Sequence, residues 1–328
     1  MLKRTLIIAI LCALALLCAA CERAESTPQR GRDGSAHADS TNSSDPDGRP
    51  STYAHPVIVA QLEDRAINES SGIIASRRNP DVFWTHNDSG DGPIIYAFDR
   101  GGKSEGRWRV ANAEAVDWED IAAGPGPQSG TSYLYLGDIG DNDRERNYVT
   151  VYRFVEPAIP AGEAPSTTIR EYVTEPAEAI RLKYPDGRHN AEALLVHPRT
   201  GDLYIVTKSL DTPAAVYKLK APYSTATMNT LVRVREISLR SFIGGVITGG
   251  DISPDGRRVI LCDYLGAGEL ALPDGFNGDF DEIWNQPIAT VDISPRKQGE
   301  AVCYRLDGLA VLATSEKRPT PLIEARRR

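Results

Sequence analysis

Acidic residues crowd into the segment 133–147, YLYLGDIGDNDRERN, directly after a hydrophobic strand pattern. Asp138, Asp141 and Asp143 offer carboxylate oxygens, which a calcium ion accepts, and the same residue type is common in polar turns. The spacing does not match the D-x-[DN]-x-[DN]-G loop, closed by a glutamate, of helix–loop–helix calcium sites. The chemistry of this segment therefore depends on which other residues the fold places beside it.

Five short segments share a pattern in which polar or acidic residues open a hydrophobic strand. They are residues 69–73 (ESSGI), 117–121 (DWEDI), 190–194 (NAEAL), 249–253 (GGDIS) and 298–302 (QGEAV). The repeats are aligned on one position in each segment, namely Ser71, Glu119, Glu192, Asp251 and Glu300. They recur roughly every 50 to 70 residues, and further strand patterns follow each of them. The chain is therefore predicted to consist of structural repeats.

Strand patterns broken by Gly, Pro, Asp and Asn run from residue 55 to the end of the chain, so the sequence predicts an all-β body. Repeats of this size with three or four strands are typical of β-propeller blades, and we count five. The strand pattern at residues 56–63 (PVIVAQLE) is expected to complete the last blade and close the ring. Six blades are the alternative if residues 158–184 contain a degenerate blade. A β-sandwich would not explain five similar strand openings.

In a propeller, the start of each innermost strand and the end of the second strand lie on the same face. Oxygen donors from several blades should therefore meet at one mouth of the channel, where calcium would offset their mutual repulsion. The predicted metal ligands are Glu69, Asp117, Glu119, Asp138, Asn190, Glu192, Asp251 and Glu300. The ends of the second strands add His86, Asn87, Asp88, Asp141, Asn142, Lys208, Asp263 and Glu316. The alternative is that these acids are solvated or paired with arginines.

Candidates for catalysis are few. His86 and His189 could act as general bases at this face, although a lone histidine in a loop commonly serves only as a hydrogen-bonding residue. Ser70 and Ser71 lack the G-x-S-x-G context of a nucleophile. Lys208 ends an apolar strand and faces acids, which suits a charge-balancing partner. No pair of nucleophile and base emerges from the sequence.

The N-terminal residues predict export. Lys3 and Arg4 precede an uncharged run that is short for a membrane span. It ends in LCAAC, which resembles a bacterial lipobox with Cys21 as the lipidated residue; a plain secretory signal is the alternative. We therefore expect a signal peptide at 1–21, a disordered tether at 22–54 and the propeller at 55–328. The protein would be held at the cell envelope by its lipid, at the outer membrane on the periplasmic side or at the cell surface.

Two further properties limit the function. The formal net charge is −8, and because nucleic acid binding requires a basic surface, no nucleic acid partner is expected. Cys262 and Cys303 remain after the signal cysteines, and either a disulfide or two buried thiols would suit an exported protein.

The motifs ESSGI, WTHNDSG, WEDIA, YLGDIGDN, NAEALLVHPRTGDLYIVTK, GGDISPDGRRV and QGEAV resemble those of a widespread group of exported bacterial β-propellers. The resemblance covers about residues 66–316, and SdiA-regulated, phytase-like and gluconolactonase/paraoxonase-type propellers are more distantly similar. In the hydrolytic relatives a channel calcium ion holds and polarises the substrate. The resemblance thus marks five channel ligands, Glu69, Glu119, Glu192, Asp251 and Glu300. This chain has carboxylates where those families usually have several asparagines.

Two functions follow as hypotheses. The first is a lipid-anchored binding module whose acidic face, with calcium, takes an unknown protein, glycan or small-molecule ligand. The alternative is a calcium-dependent hydrolase of an ester, lactone or phosphoester. Fold alone does not separate them, because propellers support both kinds of function.

Overall fold

The computed structural model describes residues 52–88, 90–160, 169–210, 212–238, 242 and 245–328. The predicted signal peptide, the lipidation site Cys21 and nearly all of the predicted tether lie outside these residues. Within them, no helix is both long enough and apolar enough to cross a membrane.

The regular secondary structure of the described residues consists of β-strands apart from one 3-10 helix, and the strands form five small sheets. Blade 1 contains β2 (Ser70–Ala75), β3 (Val82–Asn87), β4 (Ile94–Asp99), β5 (Ser104–Arg109) and β9 (Glu171–Val173). Blade 2 contains β6 (Trp118–Pro125), β7 (Ser132–Asp138), β8 (Val149–Val155), β10 (Glu178–Lys183) and β14 (Asn229–Thr230). Blade 3 contains β11 (Ala191–Val196), β12 (Leu203–Thr207), β13 (Ala214–Leu219) and β15 (Val232–Ile237).

The last two sheets complete the ring. Blade 4 contains β16 (Gly249–Ile252), β17 (Arg258–Cys262), β18 (Ala267–Ala271) and β19 (Ala289–Val291), with a 3-10 helix at Phe280–Asn285. Blade 5 contains β20 (Ala301–Tyr304), β21 (Ala310–Thr314), β22 (Pro321–Arg326) and β1 (Val57–Gln61). The innermost strands β2, β6, β11, β16 and β20 each pack against the next, and β20 packs against β2. This arrangement confirms the predicted five-bladed β-propeller.

The ring is closed by the N-terminal strand, as predicted. β1 pairs antiparallel with β22, with Val57 opposite Glu324 and Gln61 opposite Pro321. Hydrogen bonds extend the pairing beyond the strand, because Ala54 N donates to Arg326 O at 2.7 Å and Arg328 N donates to Thr52 O at 2.9 Å. The first and last described residues are thus joined in one blade, and the open edge that three strands would leave is covered.

The six-blade alternative is wrong for the described residues. The region 158–184 supplies β9, which pairs in parallel with β5, and β10, which pairs with β8. These strands enlarge blades 1 and 2, so the long interval between the second and third repeats holds outer strands.

In four blades, the turn between the first two strands contains one of the glycine or aspartate residues that interrupt the strand patterns in the sequence. Gly201, Gly256 and Gly308 have φ values of 75°, 68° and 68°, and Asp81 holds a similar left-handed conformation at 57°. Glycine adopts this conformation without a steric cost, and aspartate is among the few other residues that tolerate it.

The hydrophobic core lies between neighbouring blades. Trp84, Trp108 and Trp118 are all buried in one cluster, which is formed by residues of blades 1, 2 and 5. Cys262 and Cys303 are free and buried, so the free-thiol alternative is correct and the disulfide is wrong.

Candidate cation site at the channel mouth

Bulges at the start of the innermost strands set the side chains at the mouth. The pairing register shifts by one residue at Ser71 in β2, at Glu119 in β6 and at Glu192 in β11. Glu300 has the same place in blade 5, since Glu316 N donates to Gln298 O at 2.8 Å while Ala301 pairs with Thr314. Such a bulge leaves one residue outside the ladder and redirects its side chain.

In blade 4 the equivalent position belongs to Thr248, not to Asp251 as the sequence alignment had it. Thr248 Oγ1 donates to Gly299 O of blade 5 at 3.0 Å, just as Ser71 Oγ donates to Glu119 O of blade 2 at 2.8 Å. Asp251 lies further along β16, where its carboxylate accepts hydrogen bonds from Ile252 N at 2.7 Å and Tyr304 N at 2.9 Å. The structure therefore does not bring this predicted ligand to the mouth.

Asp120 has a related role that the sequence did not reveal. Its carboxylate accepts bonds from Ile121 N at 2.8 Å, Leu194 N at 3.0 Å and Gly250 N at 3.3 Å, so it joins blades 2, 3 and 4 across the channel. Burial raises the pKa of Asp120 well above its usual value, although these donors oppose the shift. Burial likewise raises the pKa of Asp251 to about 7. The carboxylates of Asp120 and Asp251 therefore link different blades by accepting hydrogen bonds from backbone amides.

Two overlapping groups of carboxylates lie at the mouth. Asp88 at the end of β3 meets Glu300 and Glu316 of blade 5, and it also meets Asp117 and Glu119 of blade 2. In each group, one oxygen from every residue lies within 4.8 Å of the others. Asp88 and Glu316 come from the ends of second strands and the others from the openings of first strands, which is the juxtaposition that the propeller geometry predicts.

Glu119 is the most unusual member of these groups. This residue is only 3% exposed, and its carboxyl group converges with that of Asp117 over Gly140. Burial raises the pKa of Glu119 well above its usual value, and the nearby charges of Glu192, Asp88 and Asp117 raise it further. A carboxylate in this place is costly unless it gains a proton or a cation.

Gly140 makes room for this arrangement. A Cβ atom at this position would collide with Glu119 Oε1 and Asp117 Oδ2. The absence of a side chain thus lets the two carboxyl groups converge over the backbone of the β7–β8 loop. The pKa of Asp117 is also raised, first by burial and then by the charge of Asp88.

In the second carboxylate group, Glu300 and Glu316 already bind each other. Burial raises the pKa of Glu300 well above its usual value, and a hydrogen bond with Glu316 raises it further. The pKa of Glu316 is raised as well, chiefly by burial. Two carboxyl groups joined in this way share a proton, because close like charges disfavour double ionisation.

Lys208 neutralises one further acid, as predicted. Its Nζ lies 2.6 Å from Glu192 Oε1 and 5.2 Å from the centre of the Tyr264 ring. Burial alone would lower the pKa of Lys208, but the Glu192 carboxylate outweighs it and the pKa is raised. Burial raises the pKa of Glu192 despite this partner.

The acidic segment that follows β7 mainly builds the loop. Asp138 Oδ1 accepts bonds from Arg146 Nη1 at 2.7 Å and Asp117 N at 3.2 Å. Asp141 accepts bonds from Glu145 N and Arg146 N, and its own amide donates to Asn190 Oδ1 at 2.7 Å. The predicted ligands Asp138 and Asn190 are thus engaged within the protein, where they fix the loop that carries Gly140.

The remaining predicted residues lie around the site. Glu69 is exposed and belongs to neither carboxylate group. Asn87 donates to Asp91 Oδ2 at 2.8 Å and to Ala66 O at 2.7 Å. Asp263 Oδ1 accepts bonds from Leu265 N and Gly266 N, which closes the turn after β17.

His86 presents no accessible nitrogen to the carboxylates, and neither carboxylate group among the described residues includes His189. His86 is fully buried, its Nδ1 lies 2.8 Å from Asn87 O, and its Nε2 has no partner. Burial lowers the pKa of His86. His189 Nε2 lies 3.0 Å from both Asp186 Oδ1 and the Tyr217 hydroxyl, so this nitrogen is already engaged.

No protein-family model matches the chain, and no curated protein matches its sequence. Solved structures with a similar fold include the following three. The gluconolactonase XC5397 from Xanthomonas campestris is 12% identical with a TM-score of 0.41, covering 75% of this chain and 69% of that chain. The hydrazine synthase of Kuenenia stuttgartiensis is 11% identical with a TM-score of 0.40, covering 79% and 71%. The Pan2 WD40 domain from Neurospora crassa is 10% identical with a TM-score of 0.42, covering 85% and 97%. These likenesses concern the fold alone.

Proposed function

We propose that this protein is a ligand-binding propeller whose channel mouth binds a calcium ion through Asp88, Asp117 and Glu119. The observation that carries the proposal is the Glu119 carboxyl group, which is largely buried and lies beside the carboxylate oxygens of Asp88 and Asp117. A cation would remove the cost of ionising this group.

The donor set suits calcium. All three residues offer carboxylate oxygens, and neither sulfur nor an accessible imidazole is present in the group, which favours a hard cation. Calcium takes about six to eight oxygen ligands, so three carboxylates leave positions for water or for ligand oxygens. The group with Glu300 and Glu316 is the weaker choice because these two residues already bind each other.

A calcium ion here would supply positive charge that attracts the oxygen atoms of a ligand at an otherwise acidic mouth. Asp88 and Asp117 would orient it from two blades, while the loop held by Arg146 and Asp138 would keep Asp117 in place.

Binding is favoured over the alternative, calcium-dependent hydrolysis of an ester, lactone or phosphoester. A hydrolase needs a base beside the bound substrate, whereas His86 is buried and neither carboxylate group among the described residues includes a histidine.

Anchorage through Cys21 belongs to this proposal. A lipid on Cys21 would hold the propeller at the cell envelope. Incorporation of labelled fatty acid into the full-length protein, and its loss in Cys21→Ala, would support anchorage. Release of the unlabelled wild type into the medium would contradict it.

Calcium titration of the full-length protein by isothermal calorimetry tests the site. We expect saturable binding that weakens at least tenfold in Glu119→Gln. Glu69→Gln is the matched control, because it removes an exposed carboxylate from the same face and from neither group. Equal affinities for wild type and Glu119→Gln, or no binding at all, would refute the calcium site.

A further inference from the structure

A groove of about 460 Å³ opens beside the channel mouth on blade 2. One wall is formed by Tyr148, Thr150 and Tyr152, at alternate positions along β8 and its approach. Alternate residues of a strand face the same side of the sheet. The neighbouring strand β10 adds Arg181, which is paired with Thr150, and the approach to β6 supplies the opposite wall.

The lining combines aromatic and polar groups. Tyr148 is 45% exposed, which is high for a large aromatic residue. Asn112 and Glu114 line the groove from the chain that leads into β6, and Asn147 lines it from the β7–β8 loop; all three are exposed. The groove thus offers amide, guanidinium, carboxylate and hydroxyl groups next to an aromatic side chain.

We infer that this groove binds a neutral, hydroxyl-rich ligand, namely a carbohydrate. A hydroxyl group both donates and accepts hydrogen bonds, so it can use the acceptor oxygens of Glu114 and the donors of Arg181 in the same site. The apolar face of a sugar ring packs on an aromatic side chain such as Tyr148. The inference rests on the proposed binding function and names its ligand class.

Charge argues against an anionic ligand. Arg146 also lines the groove, but its guanidinium is already paired with Asp138 at 2.7 Å. Glu114 and Arg181 also line the groove and contribute one charge of each sign. The two arginines of the lining are thus matched by Glu114 and Asp138, so the groove has no net positive charge that would favour an anion over a neutral sugar.

The groove adjoins the proposed calcium ligands. Val116 lines the groove and the next residue, Asp117, belongs to the carboxylate group. In addition, Asp117 N donates to Asp138 Oδ1, and Asp138 lines the groove. A sugar seated here would lie with one edge next to the mouth.

An array of immobilised neutral and acidic oligosaccharides, probed with the full-length protein, tests the inference. We expect binding to at least one neutral oligosaccharide, weakened at least tenfold by Tyr148→Ala and by Arg181→Ala. Val232→Ala is the control, because it shortens a side chain that is 65% exposed on the outer strand of blade 3. Thermal melting of each variant must match that of the wild type, and a variant that fails this check is replaced by Tyr148→Ser or Arg181→Gln.

The outcomes separate this inference from the calcium proposal. Absence of neutral oligosaccharide binding, preference for acidic ones, or equal loss in Val232→Ala would overturn the groove as a carbohydrate site. Calcium titration of the same preparation is read independently. Calcium binding without sugar binding refutes the groove alone, and sugar binding without calcium binding refutes the mouth alone.

Discussion

Replacing Glu119 by glutamine should make the calcium-free protein more stable at alkaline pH while removing its response to calcium. The structure gives the size of the effect. Oxygens of Glu119, Asp88 and Asp117 lie within 4.8 Å of one another. Two charges at that separation repel by about 3 kcal/mol at an effective dielectric constant of about 20. Because protonation relieves part of this repulsion, we expect Glu119→Gln to gain about 1–3 kcal/mol at pH 8 in chelator.

The dependence on pH follows from the direction of the shift. The pKa of Glu119 is raised in the folded protein, chiefly by burial, so between about pH 4.3 and the raised value only the unfolded state loses this proton. The folded state then holds more protons, and the free energy of unfolding falls as pH rises. The contribution is at most about 1.4 kcal/mol per pH unit for one group, and Glu119→Gln should flatten the slope accordingly.

Urea unfolding between pH 5 and pH 8, in chelator and in calcium, measures both effects. Calcium at one hundred times its dissociation constant should stabilise the wild type by about 2.7 kcal/mol, and Glu119→Gln should gain much less. The stability lead of Glu119→Gln over the wild type in chelator should therefore shrink in calcium by at least about 1 kcal/mol. The reasoning fails if Glu119→Gln is less stable than the wild type in chelator at pH 8, or if both respond equally to calcium.

Three further substitutions test the surrounding structure. Asp120→Asn places an amide against backbone donors and should cost about 1–3 kcal/mol in urea unfolding, whereas Asp143→Asn at an exposed position should change little. Lys208→Met should cost about 3 kcal/mol at pH 7 because it leaves the buried Glu192 without its cation; the loss should shrink at pH 5, and no loss would contradict the pairing. Gly140→Ala should weaken calcium binding at least tenfold in calorimetry, since its Cβ would collide with two proposed ligands; unchanged affinity would place the ion elsewhere.

The architecture could be predicted because repetition and strand alternation are properties of the sequence alone. Five similar strand openings and the strand pattern before the first repeat were sufficient to predict five blades and their closure. The gathering of strand openings and strand ends at one mouth followed from the same geometry, and Asp88 with Asp117 and Glu119 shows it.

The roles of individual acids could not be predicted, because they depend on register and on partners distant in the chain. Asp251 aligned with the glutamates by residue type, but in blade 4 the position at the mouth belongs to Thr248, directly before β16. Asp120 stands beside Glu119 in the sequence, yet its partners Leu194 and Gly250 are brought to it only by the closed ring. If the repeats are aligned on their hydrophobic strand residues and one bulged residue is allowed before each strand, Thr248 replaces Asp251 as the aligned position of the fourth repeat.

The pairing of β1 with β22 also fixes where the chain enters and leaves. β22 begins at the mouth face, next to Glu316, and runs away from it, and β1 runs antiparallel to β22. Residues 52 and 328 are therefore both at the face opposite the carboxylates. A polypeptide, dye or solid support joined directly to residue 52 or to residue 328 therefore leaves from the far side of the ring, and a protein held in this way presents its mouth and groove to the solution.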